Sequence, residues 1–168
     1  NKIERLGVPS IKMSDGPNGV RGDSTSGKSS ACFPCAISIG STWDMDLINQ
    51  LGVALGEEAK VKDVDVLLGP TINIHRHPLG GRHFESFSED PFLTGKIATE
   101  YVKGVQSQNV AACLKHFIGN DTEYERHLVS SNIDEKTLRE IYLLPFEMGV
   151  KEENAQVVLS AYNASIKL

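Results

Sequence analysis

Three polar segments, each placed after an apolar run, carry the residues of this chain that could do chemistry. They are Asp15 to Arg21, Pro78 to Glu85 and Lys115 to Asp121. Short apolar strands that deliver charged residues into the loops after them build the site at one face of a (β/α) barrel. We therefore expect a sugar pocket at this face.

The carboxylate of Asp15 is the first candidate binding group. Gly16-Pro17 fixes a turn directly after it. A carboxylate held this rigidly could accept two sugar hydroxyls at once. The alternative is an Asx-turn, in which Asp15 caps its own loop. Arg21 could pair with Asp15 in either case.

The guanidinium of Arg82 is the second candidate. Gly80 and Gly81 precede it, allow the backbone to approach a ligand closely and leave the side chain exposed. A phosphate-binding loop is the competing interpretation, but neither a Gly-Lys-Ser/Thr end nor a GxGxxG pattern follows. The acids between Glu85 and Asp90 precede Pro91, where a helix dipole favours negative charge, so most of them are predicted to cap that helix.

Lys115 and His116 end the apolar run 111–114, so we expect one of them to point toward a barrel axis and the other beside it. Lysine is costly to bury unpaired, and its position at a strand end predicts a partner such as a carboxylate or a substrate. A lone histidine is more often a satisfied core residue than a ligand. Next to Lys115, and upstream of Asn120, Asp121, Glu123 and Arg126, His116 is predicted to be functional.

Two other patterns have chemical alternatives that we disfavour. Cys32 and Cys35 have redox-motif spacing but precede a Gly/Ser/Thr-rich stretch, and three cysteines are an odd number, so two packed thiols are the better interpretation. His75 and His77 could share a metal ion, but no third ligand lies at helical spacing and Arg76 between them would repel a cation.

The elements that must position these residues alternate between strands and helices. The predicted strands are Pro9–Met13, Val64–Leu68, Val110–Leu114 and Val157–Leu159, whose near-continuous apolarity is typical of parallel strands covered on both faces. Three segments have helical spacing between them. Asp44 caps the first, whose inward residues run from Leu47 to Ala59 and whose Glu58 and Lys62 point outward. Pro91 opens the second, which has Phe92 inward. Asp134 opens the third, which Pro145 ends or kinks. This alternation predicts an α/β fold with a parallel sheet.

Composition excludes several classes of function. The 168 residues are 40% hydrophobic and 23% charged, as in an ordinary soluble globular protein. The net charge of −5 comes from 22 acidic and 17 basic residues with no basic stripe, so we expect no nucleic-acid partner. No apolar run is long enough to span a membrane, so no membrane partner is expected. The first residues lack a signal-peptide core, which leaves secreted and cytoplasmic locations open.

With these segments placed, the chain resembles the glycoside hydrolase family 3 β-glucosidases, most closely the fungal ones. The resemblance runs from about Arg5 to Asn163. It is carried, in order, by Arg5-Leu6-Gly7-Val8-Pro9, Asp15-Gly16-Pro17-Asn18-Gly19-Val20-Arg21-Gly22, Pro78-Leu79-Gly80-Gly81-Arg82, Glu85-Ser86-Phe87-Ser88-Glu89-Asp90-Pro91, Lys115-His116-Phe117 and Ser160-Ala161-Tyr162-Asn163.

The resemblance implies that residues 1–168 form an incomplete N-terminal catalytic domain, a partial (β/α)8 TIM-like barrel, with the rest of the barrel and later domains outside the chain. It implies a β-glucoside or β-glucan oligosaccharide as the partner, with no cofactor and no metal. Asp15 would bind the outer hydroxyls of the terminal glucose, and Tyr162 would lie beside the nucleophile. The residues it assigns to the sugar are Asp15, Arg82, Lys115, His116, Arg126 and Tyr162.

The chain departs from the family where the reaction itself should occur. A retaining glycosidase needs two carboxyl groups roughly 5 Å apart. The family's nucleophile lies in a Ser-Asp-Trp motif beyond the Ser160–Asn163 segment, and its acid/base glutamate lies on a later domain. The one tryptophan here, Trp43, follows Thr42, so that motif is absent. The resemblance therefore predicts a β-glucosidase fragment that is inactive alone.

Other functions remain open on the sequence. One alternative is a degenerate sugar-binding or interaction protein, and another is a related β-xylosidase or exo-β-glucanase. The hexosaminidase branch of the family carries a second histidine shortly after the first, whereas His116 is followed by Phe117-Ile118-Gly119-Asn120-Asp121. A glucosidase is therefore favoured over a hexosaminidase.

Overall fold

A four-stranded parallel sheet forms the centre of the computed structural model, which describes residues 2–22 and 28–165. Its strands lie in the order β1-β2-β3-β5. They are β1 (Met13–Asp15), β2 (Val66–Leu68), β3 (Ala111–Phe117) and β5 (Val157–Ser160). Asp15 lies opposite Leu68, and Lys115 lies opposite Leu159.

Helices follow these strands in sequence, so the predicted α/β fold and partial (β/α)8 barrel are confirmed. The helices are α1 (Ala36–Gly40), α2 (Met45–Val61), α3 (Pro91–Gln106), α4 (Glu135–Thr137), which continues into a π-helical turn (Leu138–Tyr142), and α5 (Leu144–Glu153). Short 3-10 turns cover Glu4–Leu6 and His83–Glu85. The two-residue strands β4 (Ser130–Ser131) and β6 (Ala164–Ser165) pair with each other.

Capping residues start the two long helices where the sequence predicts. The Asp44 carboxylate accepts from the Leu47 amide at 3.0 Å, and Asp90 does the same for α3, with Pro91 in the first turn. A capping carboxylate satisfies an amide that has no partner inside the helix. The two helices then pack closely, because Gly104 lets the backbones meet: a Cβ there would lie 2.3 Å from the Asn49 carbonyl oxygen.

The first strand starts later than predicted. The apolar run predicts a strand over Pro9–Met13, but only Met13–Asp15 lies opposite β2. Ahead of the strand, the Lys12 carbonyl accepts from the amides of Asp65 and Val66. Strand structure requires a partner strand, and the partner here sets the boundary.

Burial differs between the inner and the outer strands. Leu67 of β2 and Leu114 of β3 are completely buried, as expected for parallel strands covered on both faces. β1 and β5 each have one neighbour in this sheet, and Met13 is 62% exposed while Val158 and Leu159 are also exposed. The prediction that the strands are covered on both faces is therefore right for the inner strands β2 and β3 and wrong for the outer strands β1 and β5.

Several helix-face predictions are wrong. Leu47 and Phe92, predicted to face inward, are exposed. Lys62, predicted to face outward, is buried. Its ammonium group donates to the Val20 carbonyl, and Glu58 accepts from the Val20 amide at 2.7 Å. The Lys62 ammonium also lies 3.1 Å from Glu58 Oε1. This ion pair ties the loop after β1 to α2, which explains why charged side chains turn inward here.

The third helical segment is interrupted. The Asp134 carboxylate caps its start, accepting from the Thr137 amide at 3.0 Å, as predicted. Pro145 lies in the first turn of α5, so the chain changes from a π-helical turn to a new α-helix instead of ending. Two packed thiols are also not found, because Cys32 is exposed while Cys35 is half-buried. None of the helices in the described ranges is long and apolar enough to cross a membrane.

Candidate functional site

A cavity of about 360 Å³ opens beside the carboxyl ends of β1 and β3. Its lining brings together the first two polar segments and the end of β3. The lining residues are Asp15, Gly16, Pro17, Asn18, Gly19, Arg21, Arg82, Phe84, Glu85 and Lys115. A second cavity of about 320 Å³ lies between α1 and α2 and has no charged residue in its lining. Of these two cavities, the first therefore suits a polyhydroxylated ligand better.

Asp15 and Lys115 form an ion pair at the wall of this cavity. The Lys115 ammonium lies 3.3 Å from Asp15 Oδ1, and the lysine side chain is 3% exposed whereas that of Asp15 is 48% exposed. The predicted partner of the buried lysine is thus a carboxylate. Arg21 contacts Asp15 only through the backbone, its amide donating to the Asp15 carbonyl at 2.8 Å, so Lys115 takes the place proposed for Arg21. The exposed side of Asp15 remains accessible to a ligand.

Arg82 is held from two sides. Its Nε donates to the Glu85 carboxylate, and its NH2 lies 3.4 Å from Nε2 of His116. Glu85 also accepts from the Thr71 hydroxyl at 3.1 Å. The prediction that acids 85–90 mostly cap α3 is therefore right for Asp90 and wrong for Glu85. The spacing of three residues between Arg82 and Glu85 on one 3-10 turn is the signal that could have shown this pairing.

His116 lies behind Arg82, in a smaller space that it shares with Asn73. The Asn73 side chain is buried and contacts His116 at three atoms. Burial, assisted by the positive charges of Arg82 and Lys115, lowers the pKa of His116 to about 4, so the ring is neutral near neutral pH. No sequence pattern indicates a role for Asn73, because a single asparagine between Ile72 and Ile74 resembles ordinary strand alternation.

Arg126 and Tyr162 contact each other but do not line this cavity. The Arg126 guanidinium is 4.9 Å from the centre of the Tyr162 ring, a cation–π contact. Arg126 also lies 2.7 Å from Glu123, and Glu123 lies 3.8 Å from Arg82. Glu123 therefore connects this pair to the groups at the cavity wall.

His75 has a local structural role. Its Nε2 lies 2.9 Å from the His83 carbonyl oxygen and 3.0 Å from that of Ser86, so the ring donates to the backbone of the Arg82 loop. Burial lowers the pKa of His75, which favours this neutral form. Within residues 2–22 and 28–165, no group of three or more His, Cys, Asp or Glu side chains is arranged to hold a metal ion.

Four parallel strands with charged loops at their carboxyl ends define one part of a (β/α) barrel. The chain belongs to glycosyl hydrolase family 3, because the model of that family's N-terminal domain matches residues 1–166.

Curated relatives are named β-glucosidases. A β-glucosidase of Rhizobium radiobacter is 58% identical over 96% of this chain, and β-glucosidase B of Emericella nidulans is 53% identical over 94%. The chain spans only 20% and 19% of those two proteins.

Solved structures agree with this assignment. A β-glucosidase from Kluyveromyces marxianus in complex with glucose has a TM-score of 0.94 at 48% identity, covering 98% of this chain and 20% of its own. β-Glucosidase 3B from Thermotoga neapolitana, also in complex with glucose, has a TM-score of 0.93 at 45% identity, covering 98% of this chain and 24% of its own.

Proposed function

We propose that this chain provides the glucose-binding part of a retaining β-glucosidase that hydrolyses terminal non-reducing β-D-glucosyl residues. In this proposal the 168-residue chain binds glucose weakly and does not cleave a glucoside by itself, because the attacking carboxylate and the acid/base belong to other parts of the enzyme. Glucose in two of the similar solved structures supports the choice of sugar.

The observation that carries the proposal is the pairing of a half-exposed carboxylate with a buried ammonium group at one cavity wall. Asp15 presents acceptor oxygens, while Lys115 and Arg82 present donors from the other sides. Hydrogen bonds to charged groups are the stronger ones and discriminate against sugars that lack a hydroxyl. Arg126 and Tyr162 are proposed to contribute at the edge of the same site.

The two carboxylates at this cavity are suited to binding more than to covalent attack. Asp15 contacts Lys115, and Glu85 contacts Arg82 and Thr71. Covalent glycoside cleavage requires a nucleophile aimed at the anomeric carbon and a second carboxyl group that protonates the leaving oxygen. The positioning groups of this chain supply neither function, which supports the expected lack of turnover.

Titration of the purified chain with glucose, by calorimetry or NMR, tests the proposal. We expect saturable binding that Asp15→Asn weakens about tenfold or more, since a hydrogen bond to a charged group contributes about 1.5–3 kcal/mol. Asp46→Asn makes the same change at an exposed residue of α2 and should leave the affinity unchanged. Folding of both variants is checked by circular dichroism. A folded chain with no affinity for glucose contradicts the proposal.

Three further measurements separate the alternatives. Xylose in place of glucose tests a β-xylosidase site, because xylose lacks the hydroxymethyl group. Inorganic phosphate tests the phosphate-binding interpretation of Gly80 and Gly81. Turnover of an aryl β-glucoside by the unchanged chain, abolished by Asp15→Ala, would show that the chain is catalytic alone.

A further inference from the structure

Asn73 occupies a buried position directly against β3. The segment 70–73 runs beside the end of β3. The Ile72 amide donates to the Lys115 carbonyl at 2.8 Å, and the Lys115 amide donates to the Pro70 carbonyl at 3.1 Å. The Asn73 side chain is therefore buried next to His116. A buried amide requires partners for both of its ends.

The backbone of His116 fixes which way the Asn73 amide points. Asn73 Nδ2 donates to the His116 carbonyl at 3.0 Å, and Asn73 Oδ1 accepts from the His116 amide at 3.0 Å. A backbone carbonyl can only accept and a backbone N–H can only donate. The reversed amide would face a donor with a donor and an acceptor with an acceptor, so this orientation is chemically determined.

The same oxygen then determines the proton position on the imidazole. Asn73 Oδ1 lies 3.2 Å from Nδ1 of His116 and can only accept, so Nδ1 must carry the hydrogen. In a neutral ring, Nε2 is then an acceptor. At the far side of the ring, NH2 of Arg82 lies 3.4 Å from Nε2 and can only donate. Both ends of the ring therefore require the same tautomer.

We propose that Asn73 is a positioning residue of this site, which holds His116 in the Nδ1-protonated tautomer so that Nε2 accepts from Arg82 and keeps the guanidinium at the cavity wall. The opposite tautomer would set an N–H of the ring against an N–H of Arg82. Arg82 is then held between two acceptors, His116 on NH2 and Glu85 on Nε. The consequence for ligand binding rests on the function proposed above.

The tautomer can be read directly from ¹⁵N-labelled chain by two-bond proton–nitrogen correlation spectra of the imidazoles. The chain has 5 histidines, and the signals of His116 are those missing from His116→Gln. We expect a protonated Nδ1 and an unprotonated Nε2. This measurement needs no change at Asn73, and a ring protonated at Nε2 would overturn the inference.

Two substitutions separate tautomer control from a purely structural role. Asn73→Asp keeps the acceptor toward Nδ1 and loses the donor to the backbone, so the tautomer should persist. Asn73→Leu has neither group, so we expect a mixture of tautomers and a shifted Arg82 Nε–H signal. Asn132→Leu, at an exposed asparagine, is the control and should change neither signal. A structural role alone would affect both Asn73 variants alike, and that result contradicts the inference.

Glucose titration of the same variants connects the tautomer to the site. We expect Asn73→Leu to weaken glucose binding about tenfold, the effect of losing one hydrogen bond to a charged group, while Asn73→Asp stays within about threefold. If the unchanged chain does not bind glucose but the tautomers follow the expected pattern, the proposed function fails and the positioning role stands. If glucose binds and Asn73→Leu keeps the Nδ1-protonated ring, the positioning role fails.

Discussion

Acidification should weaken the fold through His116 before most carboxylates titrate. Burial, with the positive charges of Arg82, Lys115 and Arg126, lowers the pKa of this ring to about 4, against an opposing effect of Glu85, whereas an exposed histidine titrates near about 6.5. The unfolded chain therefore binds the proton more readily. The contribution of His116 is intact above about pH 6.5 and is lost as the pH falls toward about 4.

The size of this loss follows from the shift in pKa. One unit corresponds to about 1.4 kcal/mol, so protonation of His116 removes about 3 kcal/mol over the whole range and about 2 kcal/mol between about pH 7 and about pH 5. That is a large fraction of the stability of a small domain, typically about 5–15 kcal/mol. Burial also lowers the pKa of His75, so protonation of His75 destabilises the fold in the same direction.

Urea unfolding followed by far-ultraviolet circular dichroism measures the effect. Trp43 is mostly exposed, so its fluorescence is a poor reporter of unfolding. His116→Gln should lose about 2 kcal/mol less than the unchanged chain between about pH 7 and about pH 5, since glutamine does not titrate. His127→Gln, at an exposed histidine, should keep the original acid sensitivity. Equal acid sensitivity of His116→Gln and the unchanged chain would refute the reasoning.

Three further substitutions test the packing around the site, each by urea unfolding. Gly104→Ala should destabilise the chain by about 1–3 kcal/mol, because its Cβ would lie 2.3 Å from the Asn49 carbonyl oxygen; an unchanged midpoint would contradict this close approach. Leu114→Ala should cost about 2–5 kcal/mol, since this side chain is completely buried, and a cost below about 1 kcal/mol would be inconsistent with that burial. Lys62→Met should cost about 1–3 kcal/mol by leaving buried acceptors unpaired, whereas Lys60→Met at an exposed position should be close to neutral; equal effects would contradict the buried ion pair.

The sheet and the charged strand ends could be predicted because they depend on local patterns. β2 and β3 are short apolar runs, and the polar residues after them emerge at the same edge of a parallel sheet. That reasoning predicts Asp15 and Lys115 near each other. What local patterns do not contain is which strands have only one neighbour, so the exposure of Met13 could not be foreseen.

Pairings within the site were harder to predict, because proximity in sequence is a poor guide to them. Arg21 is near Asp15 along the chain, but the carboxylate pairs with Lys115, 100 residues away. Glu85 precedes a helix and so resembles a cap, whereas the actual turn directs it to Arg82. Neither case leaves a periodic signal, since each depends on how separate segments fold against one another.

The ion pair between Asp15 and Lys115 joins β1 to β3, although β2 lies between these two strands. β1 has only three residues and a single neighbour in the sheet, so its backbone bonds hold it weakly by comparison with the inner strands. A sugar bound by both Asp15 and Lys115 would connect this outermost strand to β3. Ligand binding and the docking of β1 onto the sheet are therefore coupled equilibria. Any ligand that fits this cavity should slow amide exchange in Met13–Asp15.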